Sequence, residues 1–239
     1  MITLYHDRKS YASQKVQVYL AEKGVKWISH PFDLLKQEHI LDQTYRSINP
    51  RGLVPALKDG EIIICNSTDI MEYISKKYLP KTDVFFNPSI SAVVHDFCKK
   101  DELLHDPHIR TLSYHNLWMA KVRTDEENNR LLELAAKHPD KARGAFLAKA
   151  VKGEFTVGEI KLANTAITNA LVDMEQKLAS LSDFIFGKEY TMADTVCTVR
   201  LFRFRRLNIK TELLKDKYPY TADYYERLKQ RSSFSELQI

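Results

Sequence analysis

The chain has 239 residues, 44% of them hydrophobic and 28% charged, a globular balance that argues against disorder as the main state. Seven glycines and eight prolines are too few for a collagen, an elastic linker or a turn-dense β-sandwich, so the composition points to helix. Basic side chains number 36 and acidic ones 31, interleaved to a net charge of +5, which is not a nucleic-acid signature. Three cysteines (Cys65, Cys98, Cys197) without a C-x-x-C pair argue against a disulfide framework and a cysteine zinc site.

Residues 2–5 (ITLY) predict a short strand, His6 to Ser10 a loop, and SQKVQVYLAEKG a helix carrying Val16, Val18, Tyr19 and Leu20 that stops at Gly24. Val25 to Ile28 resumes in extended form, giving a β-α-β unit whose first loop, with Ser10, lies at a ligand-facing sheet edge. A polar segment over 34–47 is helix-compatible. Lys58 to Glu61 reads as the turn of a hairpin, and a helix begins at Asn66 or Ser67 with Ile70, Tyr73 and Ile74 on one face. A two-proline stretch breaks the pattern over 80–88. The expectation is an α/β domain over 1–79, a linker over 80–88 and an all-helical domain over 89–239. Helices are expected near 90–122, 124–150, 157–181, 191–208 and 220–231. The first residues lack a signal-peptide core and no window holds 18 uninterrupted apolar residues, so a cytoplasmic, soluble protein is expected.

Val54-Pro55, between a loop and a strand, fits a cis bond. Together with NPRGLVPAL, CNSTDI and Asp194, the order of elements resembles the cytosolic glutathione transferases. ADTVCTVRLFRFRRLNI, YYERLKQRSSF and KHPDKARGAF resemble their tetrachlorohydroquinone dehalogenase branch, related to the zeta class, and more distantly the bacterial β-etherases. The resemblance implies a thioredoxin-like α/β domain followed by an all-α domain, glutathione as co-substrate, no metal, and a homodimer.

Residue by residue, the resemblance places Ser67, at a helix start, by the γ-glutamyl carboxylate of glutathione. An ordinary cap is the alternative reading. Asn66 stands where an acid or glutamine is commoner, Val54, the residue before Pro55 at the glutathione site, pairs through its backbone with the cysteinyl part like an added strand, and His39 lies near the glycine carboxylate. Ser10 aligns with the zeta and dehalogenase serine that stabilises the thiolate, Ser13 with the β-etherase serine, and either hydroxyl also suits a plain helix cap. Ala12 occupies the position of the branch's nucleophilic cysteine, which counts against reductive dehalogenation. Tyr114, His115 and Trp118 are candidates for the second-substrate wall. Arg200, Arg203 and Arg206 recur every third residue: such a stripe usually faces solvent, and one facing the cleft would suit an anionic electrophile. Thr191 and Asp194 form a structural capping box, and His105 and His108 lack a third metal ligand. The expected activity is glutathione transfer to a small electrophile. The alternatives are a non-catalytic binding or regulatory module and a glutathione-dependent cis-trans isomerase.

Overall fold

The structure is a computed structural model that describes residues 1–34, 36–118, 123–180, 183–207 and 212–237. Strand β1 (Ile2–His6) alternates inward and outward side chains and leads into helix α1 (Tyr11–Glu22), which ends as Gly24 turns the chain at φ +63°. Strand β2 (Trp27–Pro31) pairs parallel to β1, with Ile2 opposite Trp27. After the cis Val54-Pro55 bond, β3 (Ala56–Asp59) and β4 (Ile62–Cys65) form the hairpin. The sheet order is β2-β1-β3-β4, with β3 antiparallel to β1. Nine of the twelve α1 residues are buried, from Tyr11 to Leu20, because α1 is covered on more than the single face its spacing suggested.

The segment expected as helix over 34–47 is a 3₁₀ turn (Glu38–Ile40) followed by a short helix α2 (Gln43–Ile48). Asp42 separates them, since its carboxylate accepts from the Thr44 and Tyr45 N–H groups and so starts α2 anew. Helix α3 (Ser67–Tyr78) completes the α/β layer, and the 80–88 stretch contains a 3₁₀ turn at Val84–Phe86.

Two of the long helices expected beyond are broken. The 90–122 span divides into α4 (Pro88–Lys100) and α5 (Asp106–Ser113), with π-helical turns at Asp101–His105 and Tyr114–Trp118. Pro107 at the start of α5 has no N–H to continue the α4 ladder. Residues 119–122 lie outside the described residues. The 124–150 span divides into α6 (Asp125–Lys137) and α7 (Lys141–Lys152) because His138, preceding Pro139, is driven to an extended conformation and Asp140 caps the next helix. Then follow α8 (Val157–Leu178), α9 (Met192–Arg206), α10 (Glu212–Lys217), which the sequence pattern did not suggest, and α11 (Pro219–Lys229). Positions 181 and 208, at the expected helix ends, lie outside the described residues.

Helix α9 is the axis of the helical part, with twelve of its fifteen residues buried. Its Thr191–Asp194 capping box is present. The Asp194 carboxylate also accepts from the Ile185 N–H and the Tyr224 hydroxyl, tying three segments together. One apolar core runs from Ile2 and Leu4 through Val16 and Leu20 to Val196 and Phe204, joining the sheet layer to the helices. Among the described residues no helix is long and apolar enough to cross a membrane.

Candidate active site

A cavity of about 660 Å³ opens between the β1–α1 loop, the segment before β3, the start of α3 and the walls of α5, α7 and α9. This size suits a small-molecule site. The β1–α1 loop is shaped by Asp7: its Oδ1 accepts from the Lys9 and Ser10 N–H groups at 2.6 and 2.9 Å, and its Oδ2 from that of Leu34 at 2.9 Å. Ser10, the N-cap of α1, accepts at Oγ from the Ser13 N–H at 3.3 Å and faces the cavity. Accepting through a lone pair leaves its own O–H free to donate. Ser13 is fully buried, its Oγ accepting from the Asp7 N–H at 3.4 Å, and it does not line the cavity. Ala12 does line it.

Val54, Pro55, Asn66, Ser67 and His39 all line the cavity. Among the described residues no backbone group pairs with the Val54 main chain. Asn66 has φ +73° and ψ 139°, a conformation that costs a non-glycine residue energy and that clusters at ligand sites. Its amide donates to Asp69 Oδ2 at 3.3 Å. Ser67 is held by a residue the sequence reading missed: Glu102 Oε1 accepts from the Ser67 hydroxyl at 3.0 Å and from the Thr68 N–H at 2.9 Å. Glu102 thus supplies the carboxylate that the free N–H groups and the helix dipole favour. Burial, with His138 and Arg143 nearby, lowers His39 to about 4, so at neutral pH it carries no charge. It therefore offers a carboxylate a hydrogen bond only.

On the helical side, Tyr114 and Trp118 line the cavity, their rings 5.0 Å apart, whereas His115 is exposed and bonds Asn116. The π-helical turn sets this pattern, because adding a residue per turn rotates His115 off the inner face. The arginine stripe also departs from a solvated face. Arg200 is buried and donates to Asp101 Oδ1 at 2.8 Å; Lys15 Nζ meets Asp101 Oδ2 at 3.0 Å, and the Tyr11 hydroxyl donates to Oδ1 at 3.0 Å. Burial alone would raise the Asp101 carboxyl, but Lys15 and Arg200 hold it well below the usual range. Arg203 is buried as well. It donates to the Lys9 carbonyl at 2.6 Å, Gln14 Oε1 at 2.8 Å and Ser113 Oγ at 3.2 Å, joining the Ser10 loop to α5. Burial, then Arg206, lowers it to about 10. Arg203 and the exposed Arg206 line the cavity.

The sequence reading also missed Asp7, Arg110 and Arg143. Asp7, three residues before Ser10, carried a local loop-capping signal. Glu102, Arg110 and Arg143 had no local signal, for they reach the cavity only through packing. Among the described residues no group of three or more His, Cys, Asp or Glu side chains is placed to hold a metal ion. Of the three free cysteines, Cys65 lines the cavity, and burial pushes its thiol up, so it is protonated at neutral pH.

Comparison with known proteins agrees with this architecture. Residues 4–82 match the family model of the glutathione S-transferase N-terminal domain. The chain is 24% identical to glutathione S-transferase TCHQD of Arabidopsis thaliana, over 98% of this chain and 88% of that one. It is 26% identical to tetrachloro-p-hydroquinone reductive dehalogenase of Sphingobium chlorophenolicum, over 100% of this chain and 96% of that one. Among solved structures, β-etherase LigF of Sphingobium sp. strain SYK-6 has the same fold, with a TM-score of 0.79 at 20% identity, covering 99% of this chain and 98% of that one. With its four-stranded α/β layer matching the glutathione S-transferase N-terminal domain over residues 4–82 and its whole length similar to these relatives, the chain is placed by likeness with the glutathione transferase superfamily.

Proposed function

We propose that the protein conjugates glutathione to a small electrophile, with the Ser10 hydroxyl donating a hydrogen bond to the thiolate. The observation that carries this reading is the Ser10 hydroxyl itself, at the N-terminus of α1, facing the cavity with its proton uncommitted. An ordinary thiol titrates near 8.5, so each unit by which the site lowers that value supplies about 1.4 kcal/mol of preference for the nucleophilic form. The hydroxyl and the positive end of α1 both act in that direction. The thiolate attacks the electrophilic carbon, and the leaving group departs with the bonding electron pair. The free Val54 main chain, Ser67, Asn66 and neutral His39 would position the tripeptide.

One observation favours the second reading, a binding module without turnover: the Glu102 carboxylate already sits on Ser67 and Thr68, where the γ-glutamyl carboxylate would dock. Glutathione must displace it or bind beside it. Calorimetric titration of glutathione with the ultraviolet thiolate band recorded in parallel separates the two readings. Binding with a thiolate band that Ser10→Ala abolishes is expected, with turnover falling about 10²-fold or more. Binding without a thiolate band supports the module, and no binding at millimolar glutathione overturns the transferase reading.

A further inference from the structure

Arg110 on α5 and Arg143 on α7 both line the cavity and flank the same ring, their guanidinium centres 5.2 and 5.4 Å from the centre of Phe146. Neither is satisfied. The Arg143 side chain makes no hydrogen bond or ion pair among the described residues, and its Nη1 is buried without a partner. Arg110 Nε is buried and unpartnered too, and the carboxylate beside Arg110, that of Asp106, stands 3.9 Å from its Nη1. Burial and the charge of Arg143 lower Arg110, which places the two cations in each other's field. Burial also raises the Asp106 carboxyl, weakening it as a counter-ion. Asp140, the acid at the start of α7, is committed elsewhere: Oδ1 accepts from the Arg143 main-chain N–H and Oδ2 from Arg51.

Buried donors without partners and like charges held together each cost stability, and an anion bridging the two guanidinium groups removes both costs. The surrounding packing fixes the pair in place. Gly144 lets α7 press against α6 so closely that a Cβ there would run into the Ala135 carbonyl, and this sets where Arg143 enters the cavity. The pair also stands on the side where the second reactant belongs. Arg110 lies one turn before Ser113, the end of α5, and Tyr114, the start of the next π-helical turn, and Arg203 bonds both Ser113 and the Lys9 carbonyl, next to Ser10.

We propose that Arg110 and Arg143 form a clamp for a carboxylate on the second substrate, so that the cavity selects small electrophiles bearing an acid group, with their apolar body against Tyr114 and Trp118. This rests on the transferase reading of the same cavity. The test compares 4-chloro-3,5-dinitrobenzoate with neutral 1-chloro-2,4-dinitrobenzene, the glutathione thiolate displacing chloride from either. In Arg110→Gln and Arg143→Gln, the ratio of kcat/KM for the acid to that for the neutral compound is expected to fall at least tenfold, and Arg143→Lys to recover part of it. An unchanged ratio overturns the clamp. So does an unchanged ratio accompanied by a raised KM for glutathione, which would assign the arginines to the tripeptide's own glycine carboxylate.

If neither compound turns over, the transferase reading is decided by the glutathione titration above and the clamp is judged by binding alone. Trp118 fluorescence should be quenched by unreactive 3,5-dinitrobenzoate at a concentration at least tenfold lower than by 1,3-dinitrobenzene. That preference should vanish in Arg143→Gln. Equal quenching by the two compounds in the parent protein overturns the proposal.

Discussion

Beneath the cavity, Lys15 of α1 and Arg200 of α9 close on one carboxylate, Asp101, which also accepts from Tyr11. On the cavity wall, Arg110 and Arg143 close on no shared carboxylate among the described residues. The first group holds structure together: its two cations share the Asp101 carboxylate, with Asp106 4.0 Å from Lys15 Nζ as a second acid, and Lys15, Arg200 and Asp101 are enclosed away from the cavity. The second faces an open volume with donors to spare. The same side-chain type thus serves two ends, and what distinguishes them is whether the fold supplies the counter-charge.

The largest effect should come from breaking the matched group. Asp101→Ala leaves Arg200 without its carboxylate and Lys15 with only the longer contact to Asp106 at 4.0 Å, and should lower the free energy of unfolding by about 3–5 kcal/mol in a denaturant titration. A loss under 1 kcal/mol would mean that water reaches this cluster and that the two groups do not differ. Next in size is the response to acid. Burial is the main cause that lowers His6, His39, His105 and His138 to about 4 from the ordinary 6.5. Between those values the unfolded chain binds more protons than the folded one, so stability is fully present above pH 6.5 and is lost as the pH falls toward 4. Asp101, held low, adds its share only below the ordinary carboxylate value. The thermal midpoint should therefore drop by roughly 5 °C or more between pH 7 and pH 5. A flat profile over that interval would show the four imidazoles to be as accessible to protons folded as unfolded. The smallest effect sharpens the contrast from the other side: Arg143→Ala, which breaks no ion pair and removes an unpartnered buried donor, should lower the unfolding free energy by no more than about 0.5 kcal/mol and can raise it. A loss of 2 kcal/mol would reveal a structural partner.

What could be read from the sequence was what depends on near neighbours in the chain. The β-α-β start, the cis Val54-Pro55 bond, the hairpin over 56–65 and the Thr191–Asp194 capping box are all set by residues within a turn or a strand of one another. Two breaks fall inside spans that read as single helices, at Pro107 and Pro139, although a proline is itself a local boundary signal. Whether the arginines of α9 face solvent or the cleft is open in the sequence because their partners are remote: Asp101 lies 99 positions from Arg200, and Lys9 lies 194 from Arg203. Ser10 and Ser13 are alternatives in the sequence, and what separates their positions is packing: Ser13 is buried with its Oγ accepting from the Asp7 N–H, while Ser10 lines the cavity. His115 was grouped with Tyr114 and Trp118 on an ordinary helical count, and the π-helical turn changes that count. Glu102 and the Arg110–Arg143 pair had no neighbour in the sequence to announce them.

Arg203 has a bearing on how the two layers can be exchanged. One guanidinium group of the helical layer supplies donors to the Lys9 carbonyl and to Gln14 in the α/β layer, and a third contact to Ser113 on its own side. A hybrid chain that joins this α/β layer to a helical layer with an aliphatic residue at that place would keep its sheet and its Ser10, yet leave the loop beside Ser10 untethered. The two layers are not interchangeable modules: the part that shapes the serine loop is inherited with the other half of the chain.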